Sequence, residues 1–310
     1  MTMHDDELEL PHDVAVRLLV ALLPDVSPGD IHPLESAATT SRIVRIGSDL
    51  TARFPMVRAD VDASRRAIEA EHRAMAELAR HSPLPAPRPV AIGEPDPEFP
   101  MPFSVQTWVP GDVADPASIA DSDAATRDLA GLLTALHRAP TGGRAFEGPG
   151  RGGDLAAHDG WVQQCLERSR DVLPDPELDA LAGAWTRWRE LEPSGPDVMC
   201  HRDLIPMNLL HADGRLTGVL DTGGFSPADP AVDLVAAWHL LDGPRRQQLR
   251  EQLGTSDLEW ERGAAWAFEQ AIGLVWYYVT SNPPMAELGR STLRRLLEDP
   301  LVGARTGHPA

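Results

Sequence analysis

The sequence predicts an α+β fold, with strands gathered in the first third of the chain and helices filling most of the rest. Three observations carry this. Runs of strand-like composition, Ile31 to Leu50, Asp49 to Pro55 and Phe103 to Pro110, all precede residue 111. From Asp123 onward, apolar residues recur at helical spacing through long segments, the longest being Leu258 to Val279. The chain has 310 residues, 42% apolar and 24% charged, enough for one large domain or for two lobes that each bury a core.

Taken in order, Val14 to Leu23 is an apolar run with helical character, closed by Pro24. Ile31 to Leu50 reads as two short strands separated by the small, hydroxyl-rich stretch ESAATTS before Arg42. Asp49 to Pro55 is the next strand and contains Arg53. Ser64 to Arg80 is the strongest helix of this half, with Ile68, Met75 and Leu78 near helical spacing. Pro83 to Pro89 is extended, Val90 to Gly93 a strand or turn, and Phe103 to Pro110 alternates before Pro-Gly. Asp123 to Ala139 is an amphipathic helix with an Asp cap and a stop at Pro140; His137 is a helix-terminal residue. Thr141 to Asp154 holds six glycines. Its GPGRGGD lacks the Gly-Lys-Ser/Thr and the preceding strand of a phosphate-binding loop, so it reads as a flexible connection. Asp159 to Arg170 and Pro176 to Leu191 are helices whose Trp161, Trp185 and Trp188 read as core. Val232 to Leu241, Arg245 to Leu253 and Leu258 to Val279 are further helices, and Leu293 to Leu297 closes the ordered chain.

The chemistry concentrates between Val198 and Leu234. His201, Asp203 and Asn208 form an HxDxxxxN loop. Leu209-Leu210 and Leu216 to Leu220 are apolar runs flanking His211 to Arg215, whose Asp-Gly suits a tight turn. Such a hairpin brings Asn208, just before one strand, close to Asp221 at the end of the other. Two oxygen-bearing side chains placed in this way suit a hard cation such as Mg²⁺. Asp203 lies on the same loop as Asn208 and is free to face a substrate hydroxyl. Base, metal amide and metal carboxylate are the parts of a phosphoryl-transfer site.

On these residues the chain resembles the aminoglycoside and macrolide phosphotransferases, antibiotic kinases with a protein-kinase-like fold. ADPAVDLVAAW, Ala228 to Trp238, is similar to that family's Asp-Pro-x-x-Asp-Leu stretch. The likeness is close from Val198 to Trp238 and looser elsewhere. Two positions depart: Arg202 stands where the family usually has Gly, and Thr222 follows Asp221 where Trp is frequent. The resemblance implies a small sheet-plus-helix lobe over residues 1–109 that binds the nucleotide, and a larger, mainly helical lobe over 110–310 for catalysis and the acceptor. It implies Asp203 as catalytic base, Asn208 and Asp221 as Mg²⁺ ligands, and ATP or GTP as phosphoryl donor. Arg53 then braces the phosphates, a role kinases give to Lys, and Arg53-Phe54-Pro55 resembles the matching stretch of macrolide phosphotransferases. Glu71 is the expected partner of Arg53, with Glu69 and Glu77 as other candidates. Ser36 and Thr40 fall in the phosphate loop, and Trp108 and Val109 at the adenine-contacting hinge. Trp266, Glu269, Gln270 and Tyr277 are candidates for the acceptor pocket. Asp229 and Asp233 are expected to hold the catalytic loop through hydrogen bonds. Only Thr222 to Ala228 separate Asp221 from Asp229, too short for the activation segment of a protein kinase. Arg202 is therefore expected to pair with a nearby carboxylate.

Charge and composition bound the partners. The 28 basic residues, all Arg, stand against 47 Asp and Glu, a net charge of −19. That balance repels nucleic acid and anionic membrane and attracts cations, so the small hydroxylated acceptor that the resemblance implies is expected to be cationic. No apolar run approaches membrane-spanning length, the acidic start is unlike a signal peptide, and two cysteines make no disulfide framework. A cytoplasmic monomer is the expectation. Two other readings stay open: a metabolic kinase of this fold acting on a sugar, choline-like amine or amino alcohol, and a catalytically inactive nucleotide-binding protein.

Overall fold

In the computed structural model, which describes residues 8–34 and 41–299, the chain divides into two units. The first comprises Met1–Arg80, Pro85–Pro110 and Leu220–Gly224; the second comprises His81–Leu84, Gly111–Val219 and Phe225–Ala310. No helix among the described residues is long and apolar enough to cross a membrane.

The first unit holds helix α1 (His12–Leu22), strands β1 (Ile31–Leu34), β2 (Ser41–Ile46) and β3 (Leu50–Pro55), helix α2 (Val61–His81), and strands β4 (Pro89–Gly93) and β5 (Phe103–Thr107). The strands form one antiparallel sheet in the order β1-β2-β3-β5-β4. Alternation along the strands turns Val44, Ile46, Ala52, Phe54, Phe103 and Val105 inward, against Val14, Leu18 and Leu19 of α1. Phe54 stacks on Phe103 at 4.3 Å and meets the edge of Phe99 at 5.2 Å. The same period-2 rule leaves Arg53 on the opposite face of β3 from Phe54. In α2, Met75 and Leu78 are buried, so most of its length faces outward.

The second unit holds strand β6 (Asp112–Val113), helices α3 (Pro116–Ile119), α4 (Asp123–His137), α5 (Asp159–Arg168) and α6 (Asp175–Trp188), strands β7 (Val198–Cys200), β8 (Leu209–Ala212), β9 (Arg215–Val219) and β10 (Ser226–Ala228), and helices α7 (Val235–Leu240), α8 (Gly243–Leu253), α9 (Asp257–Tyr277) and α10 (Pro283–Glu298). β6, β8 and β9 form one small sheet, β7 and β10 another. Asp213 and Gly214 take φ of 50° and 72°, the two left-handed positions that a tight hairpin turn requires, as the Asp-Gly pair predicts. The α4 cap is a correction: Ser122, not Asp123, accepts from the Ala125 N–H, and Asp123 lies in the first turn.

Trp185 and Trp188 are fully buried against Phe268, but Trp161 is 42% exposed and is not core. α9 runs through the middle of this unit, with Trp260, Trp266 and Phe268 buried and Tyr277 57% exposed. The segment expected to close the ordered chain, Leu293 to Leu297, lies within a longer helix, α10, which starts after an Asn282 cap at Pro283-Pro284.

Candidate active site

The loop after β7 is held from below by one buried carboxylate, that of Asp233; the Asp229 carboxylate, expected to share this task, bonds Ser194, the Ala231 N–H and Arg262 instead. Asp233 Oδ2 accepts the His201 N–H at 2.9 Å and Oδ1 accepts the Arg202 N–H at 2.7 Å. Asp229 caps the turn Pro230–Leu234 and pairs with the buried Arg262, which also donates to the carbonyls of Leu191, Glu192 and Gly153. Arg202 sits at φ 73°, a strained value for a residue with a side chain, held there by the Asp233 contact. His137, Cys200 and Asp233 cluster beneath the loop. Both Asp233 oxygens already accept backbone N–H groups, and burial pushes the Cys200 thiol well up, so the cluster braces the loop.

Asp203 emerges from this support with both carboxylate oxygens occupied. Oδ1 accepts from Arg151 Nη2 and from Gln270 Nε2, each at 2.8 Å, and Oδ2 accepts from Asn208 Nδ2 at 3.1 Å. Asn208 Nδ2 also reaches the Asp203 carbonyl at 2.9 Å, closing the loop on itself. Its amide N–H₂ thus faces Asp203, and Oδ1 takes no part in these two bonds. Arg151 Nη1 lies 3.8 Å from Glu269 Oε2, and Glu269 Oε1 is 2.9 Å from His158 Nδ1. The His158 ring stands edge-on to the buried Trp266 at 5.0 Å. Of the four residues expected in the acceptor pocket, Glu269 and Gln270 join this polar group, Trp266 lies beneath it, and Tyr277 turns to the surface.

Arg151 is the residue that sequence reasoning missed. Its segment looked like a flexible connection because of its glycines, yet those glycines permit close approach. A Cβ on Gly152, which has φ 107°, would lie 2.6 Å from the Ala228 Cβ, and one on Gly150 would lie 2.8 Å from Arg202 Nη2. Arg202 Nε donates to the Arg151 carbonyl at 3.1 Å, and its guanidinium lies over Phe146. The expected carboxylate partner for the Arg202 side chain is therefore replaced by a carbonyl, Ser226 Oγ at 3.0 Å and a ring.

In the first unit, Arg53 Nη1 pairs with Asp221 Oδ1 at 3.1 Å. This corrects the expected Arg53–Glu71 pair, since Asp221 reaches the guanidinium first. Glu71 lies against Gly223, where desolvation pushes its carboxyl up, Arg53 pulls it down and Asp221 adds to the rise, although the residue keeps surface exposure. Asp221 has φ 51°, and its side chain is 49% exposed. The Trp108 ring lies under the Arg45 guanidinium at 4.0 Å, its backbone N–H donates to the Asp49 carbonyl at 2.7 Å, and Val109 is buried. Ser36 and Thr40 lie outside the described residues. Asn208 and Asp221 each offer a carbonyl or carboxylate oxygen, the donor type that Mg²⁺ selects.

A sequence profile of the phosphotransferase enzyme family matches residues 30–267. Among solved structures, the GDP and kanamycin complex of the aminoglycoside phosphotransferase APH(2″)-IIIa is similar in fold, with TM-score 0.68, 17% identity, and coverage of 94% of this chain and 99% of that one. The GDP complex of wild-type aminoglycoside 2′-phosphotransferase-IIIa gives TM-score 0.67 at 17% identity, covering 96% and 100%. The macrolide 2′-phosphotransferase MphH from Brachybacterium faecium gives TM-score 0.61 at 19% identity, covering 91% and 98%. No curated protein matches by sequence.

Proposed function

Because the chain belongs to the phosphotransferase enzyme family, we propose that it transfers the γ-phosphoryl of ATP or GTP to a hydroxyl of a cationic antibiotic of aminoglycoside or macrolide type, and so confers resistance. The observation that carries this reading is Asp203, fixed by Arg151, Gln270 and Asn208 yet 34% exposed at its side chain. A carboxylate has about four lone-pair sites, and three here are taken by protein donors. The one remaining faces the acceptor hydroxyl, so Asp203 orients that hydroxyl and receives its proton as the new O–P bond forms and the bond from the γ-phosphorus to the bridging oxygen breaks, releasing the nucleoside diphosphate.

In the first unit, Arg53 binds the nucleotide phosphates, and the purine is assigned to the stretch at Trp108 and Val109. Asp221 and Asn208 are each proposed as oxygen donors to Mg²⁺, which when bound neutralises charge on the phosphates. This assignment rests on their order along the chain and on their oxygen donors.

The solved relatives similar in fold include a kanamycin complex and a macrolide phosphotransferase, and the net charge of −19 favours a cationic acceptor. Glu269, buried and with Oε2 lacking a hydrogen bond, places a carboxylate 3.8 Å from Arg151 Nη1. The test is a resistance screen in a susceptible host across aminoglycosides and macrolides, followed by KM against added salt. An acceptor with several charges gives a KM that rises steeply with salt, because screening acts over about 8 Å at physiological ionic strength. A singly charged macrolide gives a nearly flat response. A neutral acceptor with a salt-indifferent KM moves the assignment to a metabolic kinase of the same fold.

A further inference from the structure

We propose that Gln270, His239 and Thr292 form a buried chain of hydrogen-bond donors that positions the Asp203 carboxylate, a proposal that rests on Asp203 being the base. The chain crosses three helices: Thr292 on α10, His239 on α7 and Gln270 on α9. Gln270 Nε2 lies 2.8 Å from Asp203 Oδ1, Gln270 Oε1 lies 3.0 Å from His239 Nε2, and His239 Nδ1 lies 2.8 Å from Thr292 Oγ1.

The direction of every bond follows from chemistry. An ionised carboxylate only accepts, so Gln270 must turn its N–H₂ to Asp203 and its Oε1 to His239. His239 Nε2 then carries the proton and donates. In a neutral imidazole the other nitrogen is an acceptor, so Nδ1 takes the Thr292 O–H. His239 and Thr292 are both fully buried. Burial pushes the imidazole down to about 4, against a smaller upward pull from the Gln270 hydrogen bond, so His239 is neutral near pH 7.

Each link therefore points its hydrogen toward Asp203. The two ends of a glutamine amide are nearly the same size, so packing alone does not choose between them. The His239 N–H helps make the choice: it donates to Gln270 Oε1, and so favours turning the N–H₂ to Asp203. Without that donor, the amide is free to present Oε1 to the carboxylate and repel it. His239 and Thr292 touch no reacting group and act through Gln270 alone. Packing does not account for them either, since an apolar side chain of similar size avoids the desolvation of three polar groups.

The experiment uses the full chain with MgATP and MgGTP, water standing in for the acceptor, and phosphate release as the readout. Alongside it, ¹⁵N NMR of histidine-labelled protein reports the His239 tautomer. Gln270→Met keeps the length and removes both bonds; kcat is expected to fall roughly 10- to 100-fold, the scale set by misplacing a reacting group. The nucleotide KM should stay within about twofold, since the loss is one of orientation. His239→Leu should fall nearly as far, and His239→Gln, whose amide N–H reaches the place of Nε2–H, should recover most of that loss. The NMR spectrum should show a neutral His239 protonated on Nε2 at pH 7, a result that needs no turnover and no variant to fold. A proton on Nδ1, a Gln270→Met kcat equal to wild type, or a His239→Gln no better than His239→Leu would each overturn the donor chain. In the first two cases an inactive Asp203→Asn leaves the base assignment standing; an Asp203→Asn with full turnover removes that assignment and the chain with it.

Discussion

Asp203 and Asp221 each meet an arginine in a chain without lysine, but the two aspartates are held in opposite ways. Asp203 receives three side-chain donors over both oxygens, and its backbone is tied down through the loop that Asp233 secures. Asp221 receives one Arg53 contact on Oδ1, and its side chain is 49% exposed. An exposed ion pair of this kind contributes about 0–1 kcal/mol, so a divalent cation would replace it at little cost. A base works by direction and is fixed in advance, whereas a metal ligand must exchange one partner for another. The difference in restraint matches the difference in proposed role.

The sharpest way to break this comparison is Asp203→Asn. The side chain keeps its shape, but the base is gone, and turnover should fall by roughly 10²- to 10⁴-fold. Calorimetric titration should show nucleotide binding retained. Near wild-type turnover with the authentic acceptor would place the base elsewhere. Asp221→Asn should act on the other quantity. Apparent Mg²⁺ affinity in the nucleotide complex should drop by at least about tenfold, the scale that even an outer-shell change costs. A Mg²⁺ titration of nucleotide binding measures this, and an unchanged midpoint would exclude Asp221 as a ligand.

What the sequence disclosed follows the range of the interactions involved. The Asp-Gly hairpin, the strand bearing Arg53 and the Asp233 brace on His201 and Arg202 depend on local pattern or on a short motif, and they stand in the structure as read. Contacts set by tertiary packing were hidden. Arg151 is 52 positions from Asp203, and its six-glycine surroundings have the composition of a linker; their close fit to Ala228 and Arg202 cannot be read from spacing. Thr292 is 53 positions from His239, and no local signal marks either residue. Arg53 was given the helix carboxylate Glu71, when the structure gives it Asp221, 168 positions away. Trp161 was read as core because aromatic residues usually are, yet it lies on the outward side of α5.

The support behind Asp203 has a pH signature of its own. His239 is neutral in the fold, with its pKa lowered by burial to about 4 from 6.5, helped by Arg151 and Arg295 and opposed by the Gln270 hydrogen bond and Asp203. The unfolded chain therefore binds more protons than the native one between those values, and native stability falls as pH drops through that window. By pH 5.5 this residue alone should cost about 1 kcal/mol relative to pH 8. Urea unfolding at the two pH values measures the slope, and His239→Gln should flatten it. An identical slope in the variant would show that His239 titrates the same way folded and unfolded.

The smallest expected effects concern Arg202: a few-fold loss on its removal, and no change on phosphatase treatment. In protein kinases the Arg of His-Arg-Asp commonly meets a phosphorylated activation segment. Here Ser226–Ala228 is already paired with β7 as β10, and the Arg202 guanidinium is engaged by the Arg151 carbonyl at 3.1 Å, by Ser226 Oγ at 3.0 Å and by the Phe146 ring at 5.0 Å. Each of these contacts supports the segment that delivers Arg151 to Asp203, so Arg202 acts as a brace for the restrained aspartate and has no switch to serve. Phosphatase treatment of the purified enzyme should leave kcat unchanged. Arg202→Ala should lower kcat by only a few-fold, about 1 kcal/mol at most, through looser placement of Arg151, the ordinary size of a lost structural hydrogen bond. Loss of activity on phosphatase treatment, restored by rephosphorylation, would show that Arg202 has a second partner and that the base is held conditionally.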